Sequence, residues 1–204
     1  MIVHGLLLAA GAGRRMGRPK ALVLDPDGSS WLLRSIDVLR SGGCRAVTVV
    51  LGAAAQDAAA LVPEGVTVVV AHDWAEGMGA SLRAGLAALP ATADAVVVSL
   101  VDLPDVDADV VRRVVAAATG PSSLARAGYD GVPGHPVLMG RAHWVAVAAV
   151  ASGEVGARSY LARHEVELVE CGDLATGRDV DRPSAPPVLD TRRAHPSIRR
   201  HPEP

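Results

Sequence analysis

The chain has 204 residues, half of them apolar and 21% charged, with a formal net charge of −2. That size and balance suit one globular domain in water, and the near-neutral charge gives no basic field for a polyanion, which argues against nucleic acid as the main partner. Aromatic residues make up only 2%, with no phenylalanine, so no stacking platform for single strands is available and the core must be packed from Ala, Val and Leu.

Continuous apolar runs recur at 3–9 (VHGLLLA), 46–51, 66–71 and 95–100. Runs of this length without polar alternation fit strands covered on both faces, as in a parallel sheet. Between them, 31–43, 53–62 and 79–89 carry helical spacing, two of them with clear Gly or Pro stops. A further helix is expected over 107–118, opened by acidic residues that suit the positive end of the helix dipole. Short strands at 122–128 and 135–140 flank a Gly/Pro-rich turn, YDGVPG. Two more helices follow, over 141–151 and 156–164, and then a last strand at 166–171. This alternation predicts one α/β domain over 1–183, in three layers around a mainly parallel sheet. From Pro183 the composition shifts to six prolines in 22 residues with paired arginines at 192–193 and 199–200, so 184–204 reads as a disordered Pro/Arg-rich tail without function. Cys44 and Cys171 stand far apart with no CxxC spacing, which favours buried thiols in a reducing compartment. The N-terminal run lacks a basic start and stops at Gly11, far short of a membrane span, so a cytoplasmic protein without membrane contact is expected.

The first strand empties into Leu8-Ala9-Ala10-Gly11-Ala12-Gly13-Arg14-Arg15-Met16-Gly17-Arg18-Pro19-Lys20. Three glycines let a ligand approach the backbone, and three arginines with a lysine crowd the same loop, so it is built for an anion, most naturally a triphosphate. Two well-known phosphate loops do not fit. The dinucleotide fingerprint needs GxGxxG, and the glycines here stand at 11, 13 and 17, with Leu51-Gly52 rather than a carboxylate ending the second strand. A P-loop needs Gly-Lys-Ser or Gly-Lys-Thr, and Lys20 follows Pro19 and precedes Ala21. Asp102, directly after AVVVSLV (95–101), puts a carboxylate at a strand's carboxyl end opposite the loop. Such a residue suits Mg²⁺, which takes one or two carboxylates plus phosphate oxygens; an Asp before Leu-Pro also makes a turn or a cap.

LAAGAGRRMGRPK resembles the signature loop of the MobA-like nucleotidyltransferases, and EGMGASLRAGL (76–86), VDLPDV (101–106), GHPVLM (134–139) and RDVDRP (178–183) resemble further landmarks of that family in order. The resemblance implies a Rossmann-like nucleotidyltransferase fold. It implies that Leu8, Ala9, Ala10, Gly11, Gly13, Arg15 and Lys20 bind the nucleotide, with Arg15 and Lys20 on the β and γ phosphates. Gly79 and Ser81 would contact base or ribose, although a Gly-rich helix start capped by Ser81 is the plainer reading. Asp102 and Asp181 would hold Mg²⁺, and Arg15, Lys20 and Asp102 would be the catalytic set. Arg182 and Ser184-Ala185 depart from the Thr and acidic pair usual around that late segment. Gly134, His135 and Pro136 resemble the acceptor side, where His135 either meets the acceptor phosphate or anchors a turn. Ala10, where the guanylyltransferase branch has a second Gly, makes the chain similar to the cytidylyltransferases of the molybdenum cofactor. The substrates implied are CTP and a phosphorylated pterin, and a molybdoenzyme or its maturation chaperone would receive the product. A sugar or alcohol phosphate is the alternative acceptor. An NADPH-dependent oxidoreductase of the nicotine-blue type, opposed by the missing GxGxxG and ribose carboxylate, is the alternative class; a non-catalytic nucleotide binder is disfavoured by the presence of both Asp102 and Asp181.

Overall fold

The computed structural model describes residues 1–182; the tail expected at 184–204, and Pro183, lie outside the described residues. Seven strands, β1 (Val3–Ala9), β2 (Val47–Leu51), β3 (Thr67–Val70), β4 (Ala95–Leu100), β5 (Leu124–Tyr129), β6 (Val132–Gly140) and β7 (Glu167–Glu170), form one sheet in the order β3-β2-β1-β4-β6-β5-β7. Only β6 runs against its neighbours; every other adjacent pair is parallel.

Strand periodicity explains the three layers. Val3, Leu7 and Ala9 of β1 point to one face and join α1 (Trp31–Ser41), α2 (Ala55–Ala59) and α4 (Ala108–Ala116), while Leu6 and Leu8 point to the other and join α3 (Met78–Ala87), α5 (Trp144–Val150) and α6 (Arg158–Leu161). With both faces covered, all seven residues of β1 are buried, which is why the sequence shows an unbroken apolar run. The edge strands β3 and β7 leave Val68, Val70 and Leu168 exposed. Cys44 and Cys171 are free, buried thiols; burial pushes Cys44 up to about 12.

Several boundaries differ from the sequence reading for local reasons. Asp107 lies just outside α4 as its cap, accepting from the Asp109 and Val110 amides at 2.9 and 3.1 Å. YDGVPG is mostly strand: Asp130 and Gly131, with φ of 53° and 77°, make the whole turn, and Val132 to Gly134 extend β6. The helices expected over 53–62 and 156–164 shrink to α2 and α6, with turns taking up the remainder. Three-residue 3₁₀ turns at Lys20–Leu22, Trp74–Glu76 and Gly153–Val155 were not foreseen, since so short a turn leaves no periodic signal. No helix among the described residues is long and apolar enough to cross a membrane.

Candidate active site

Leu8 of β1 pairs with Leu100 of β4, so the loop after β1 and the residues Val101 and Asp102 after β4 rise from the same edge of the sheet. Open α/β sheets collect their ligands at this carboxyl edge. The loop is folded back on itself by the Met16 amide donating to the Gly13 carbonyl at 2.8 Å and the Lys20 amide donating to that of Gly11 at 3.3 Å. Gly13 has φ +56°, and a Cβ there would stand 2.0 Å from the Arg18 carbonyl oxygen. Gly13→Ala is therefore expected to cost roughly 1–2 kcal/mol for the left-handed backbone alone, lowering the melting temperature by roughly 2–8 °C and displacing the loop. A variant with wild-type melting would show that the loop tolerates another path.

A cavity of about 400 Å³ lies between this loop and the start of α3, lined by Leu8 to Arg15, Lys20, Trp74, Gly77, Met78, Ser81, Asp102, Glu154 and Asp181 among others. At one side of the cavity the Lys20 ammonium bridges two carboxylates, 2.5 Å from Asp102 Oδ2 and 2.6 Å from Asp181 Oδ1. Arg15 Nη1 donates to the other oxygen of Asp181 at 2.8 Å. Asp181 is brought here by the chain after β7, and the Val180 amide donates to the Asp102 backbone carbonyl at 2.9 Å. Burial alone would lower the Lys20 pKa, but hydrogen bonds and attraction from Asp102 and Asp181 outweigh it and the net direction is up. The hydrogen bond from Lys20, reinforced by its charge and that of Arg15, holds the Asp181 carboxyl below the usual range. Both groups are therefore charged at neutral pH.

Asp179 completes an acidic trio: one carboxylate oxygen each from Asp102, Asp179 and Asp181 lie within 4.8 Å of one another. Hard oxygen donors of this kind suit a divalent cation such as Mg²⁺ or Mn²⁺. The ammonium already drawn between two of them shows that the position demands positive charge, so the donor set fits a metal.

Most of the residues singled out in the sequence converge here. Leu8, Ala9, Ala10, Gly11, Gly13, Arg15, Lys20, Ser81, Asp102 and Asp181 line one cavity, and Ser81 is not a helix cap, because Gly77 occupies that position. Gly79 does not line it; its Cα packs against the Ser152 backbone, where a Cβ would come within 2.5 Å. Gly134 and His135 line a neighbouring chamber, while Pro136 is buried in β6. Burial, with repulsion from Arg126 and Arg158, pushes His135 down to about 4, so its ring is neutral at physiological pH. Asp179, Trp74, Glu154, Arg126 and Arg158 escaped the sequence reading. Asp179 was detectable, since it stands only two positions before Asp181 in the same short RDVDRP stretch. Arg126, the one charged residue in LARAGY, was a weaker signal.

Several known proteins are similar to this chain. A nicotine blue oxidoreductase of Paenarthrobacter nicotinovorans is 40% identical over 190 residues, covering 88% of this chain and 92% of that protein. A probable molybdenum cofactor guanylyltransferase of Rhodopirellula baltica is 33% identical over 116 residues, 55% of this chain and 54% of that protein. Among solved structures, Rv0371c of Mycobacterium tuberculosis superposes with a TM-score of 0.75 at 29% identity, covering 89% of this chain and 94% of that one. The same mycobacterial protein is also known as a manganese complex, matched with a TM-score of 0.70 at 28% identity over 84% of this chain and 89% of that one. Residues 5–168 match the MobA-like NTP transferase domain, and the chain belongs to that family.

Proposed function

We propose that this protein is a Mg²⁺-dependent cytidylyltransferase that joins CMP from CTP to the phosphate of molybdopterin. The observation that carries the reading is the Lys20 ammonium held between Asp102 and Asp181 beside a glycine- and arginine-rich loop, which gathers cation, carboxylates and backbone amides around one cavity. CTP rather than GTP is supported by Ala10. Ala10 lines the cavity at the position where the guanylyltransferase branch that the chain resembles has a second glycine.

In the reaction, an oxygen of the acceptor phosphate attacks the α-phosphorus of CTP. The bond from that phosphorus to the oxygen bridging to the β-phosphate breaks, and pyrophosphate leaves with the electron pair. Charge balances without any proton transfer, so no general base is required, in keeping with a cavity lining that contains no histidine among the described residues. Lys20 and Arg15 turn from the carboxylates to the β and γ phosphates and stabilise the charge that grows on the leaving group. Amides of the loop from Gly11 to Arg14 hold the triphosphate in line. Asp102 and Asp181, assisted by Asp179, would hold Mg²⁺, which when bound neutralises phosphate charge and makes the α-phosphorus more electrophilic. The dinucleotide product would pass to a molybdoenzyme or its maturation chaperone. A sugar or alcohol phosphate in place of molybdopterin would use the same chemistry.

A second reading, an NADPH-dependent oxidoreductase, is favoured by the 40% identity to the nicotine blue enzyme. Thermal stabilisation separates the two. CTP at about a hundred times its Kd is expected to add about 2.7 kcal/mol, a rise of roughly 5–10 °C in melting temperature, and to do so only with Mg²⁺. A shift with NADPH, indifferent to Mg²⁺, combined with none from CTP, GTP or ATP would replace the transferase reading by the oxidoreductase.

A further inference from the structure

Beside the nucleotide cavity lies a second chamber of about 160 Å³, and the two share Leu8, Met78 and Glu154 on their linings. Its remaining walls are largely apolar, from Leu82, Val98, Val137, Met139 and Leu161, yet Arg126, His135 and Arg158 also line it. Arg126 reaches up from β5, and its Nε and Nη2 both donate to the Gly134 carbonyl at 3.2 and 3.0 Å. Arg158 opens α6.

The two chambers differ in how their cations are partnered, although Arg14 on the first lining has no ion pair among the described residues. In the first, Lys20 and Arg15 are compensated by Asp102 and Asp181. In the second, neither guanidinium forms an ion pair among the described residues, whereas five other arginines of the chain do. Burial lowers the pKa of Arg126, and the charge of Arg158 lowers it further, which shows that the two guanidiniums repel each other across poorly solvated space. Unpaired like charges beside an apolar chamber are costly unless an anion completes them. Among the described residues the only carboxylate on the lining is Glu154, on the rim shared with the nucleotide cavity.

We propose that Arg126 and Arg158 form the seat for the acceptor's phosphate, selecting a phosphomonoester dianion and presenting one of its oxygens toward the nucleotide cavity, with Arg158 the positioning residue that sets this selectivity. The proposal deepens, and rests on, the nucleotidyl-transfer reading. Neutral His135 adds at most a single N–H donor, so the charge comes from the two arginines. Arg126, tied to Gly134, is the fixed member, and Arg158, whose guanidinium makes no hydrogen bond to other described residues, is the adjustable one.

The test uses the full chain with phenyl phosphate as probe, titrated by calorimetry in the presence of Mg²⁺ and saturating α,β-methylene-CTP, which keeps the probe out of the triphosphate loop. Wild-type protein is expected to bind phenyl phosphate, and Arg158→Gln to weaken that binding by about tenfold to a hundredfold. Arg158→Lys should recover part of the loss, phenyl sulfate should bind more weakly than phenyl phosphate, and affinity for α,β-methylene-CTP should stay within about twofold, because position 158 lies outside the nucleotide cavity. Equal phenyl phosphate binding by wild type and Arg158→Gln, or none by wild type, overturns the proposal. If α,β-methylene-CTP itself fails to bind, the transfer reading has failed instead. The same titration on the bare protein then decides the seat separately, with dependence on Arg158 supporting it and independence overturning it.

Discussion

Replacing Lys20 by Met is expected to lower turnover about a thousandfold and, at the same time, to tighten the binding of Mn²⁺ in the absence of nucleotide by at least about tenfold. The first effect follows from loss of a charge-assisted contact to the departing pyrophosphate, worth several kcal/mol of transition-state stabilisation at 1.36 kcal/mol per tenfold. The second follows from the position of the ammonium. At 2.5 and 2.6 Å from Asp102 and Asp181, it occupies the space where those carboxylates would meet a metal. Two unit charges 4 Å apart in a partly solvated site interact by about 4 kcal/mol, so a cation arriving alone must displace a firmly held competitor. A metal arriving with a triphosphate offers Lys20 another anion in exchange. Electron paramagnetic resonance titration of Mn²⁺ against both proteins reads this directly. Equal affinities without nucleotide would mean that Lys20 does not compete, and a variant retaining turnover would remove it from the leaving-group side.

The second large effect is expected at Asp102. Asp102→Asn should cut turnover by about a thousandfold or more, since it removes the most buried of the three carboxylates and with it a principal hold on the metal. Stability should change by no more than about 1 kcal/mol. Among the described residues the ion pairs of these three carboxylates are with Lys20 and Arg15 alone, so losing one negative charge leaves the cluster closer to balance, and Lys20 keeps Asp181 as a partner. The backbone carbonyl of residue 102 still accepts from Val180, so the late segment stays docked. Steady-state kinetics beside thermal denaturation checks both halves. Full turnover would refute the metal role, while a collapse in melting temperature would make the residue structural.

Much of this was legible in the chain because the strongest signals are those that secondary structure amplifies. β1, β2 and β4 are central and covered on both faces, and their apolar runs gave the sheet within a residue at each end. That Leu8 to Arg15 and Lys20 gather at one cavity was legible because a run of glycines with clustered arginine and lysine directly after a buried strand stands out in the chain. What failed has a common cause: residues whose meaning depends on distant partners. Gly79 looked like a ligand contact because glycine at a helix start serves either a ligand or a close neighbour, and only the position of Ser152 decides between them. Arg126 and Arg158 lie in unrelated elements, 32 positions apart, and nothing local tells that they line one chamber. YDGVPG misled because proline is read as a breaker, while Pro133 here sits inside β6.

The docking of Val180 onto the carbonyl of Asp102 has a temporal consequence. Among the described residues, six of the seven strands, and the helices that cover them, are encoded before residue 162, whereas Asp179 and Asp181 come after the last described element, β7. A chain growing on the ribosome can thus assemble its barrier to water and most of its nucleotide loop while Lys20 still lacks one of its two counter-charges. Competence would then arrive as a late, separate event, timed by translation of the final described residues rather than by collapse of the hydrophobic interior.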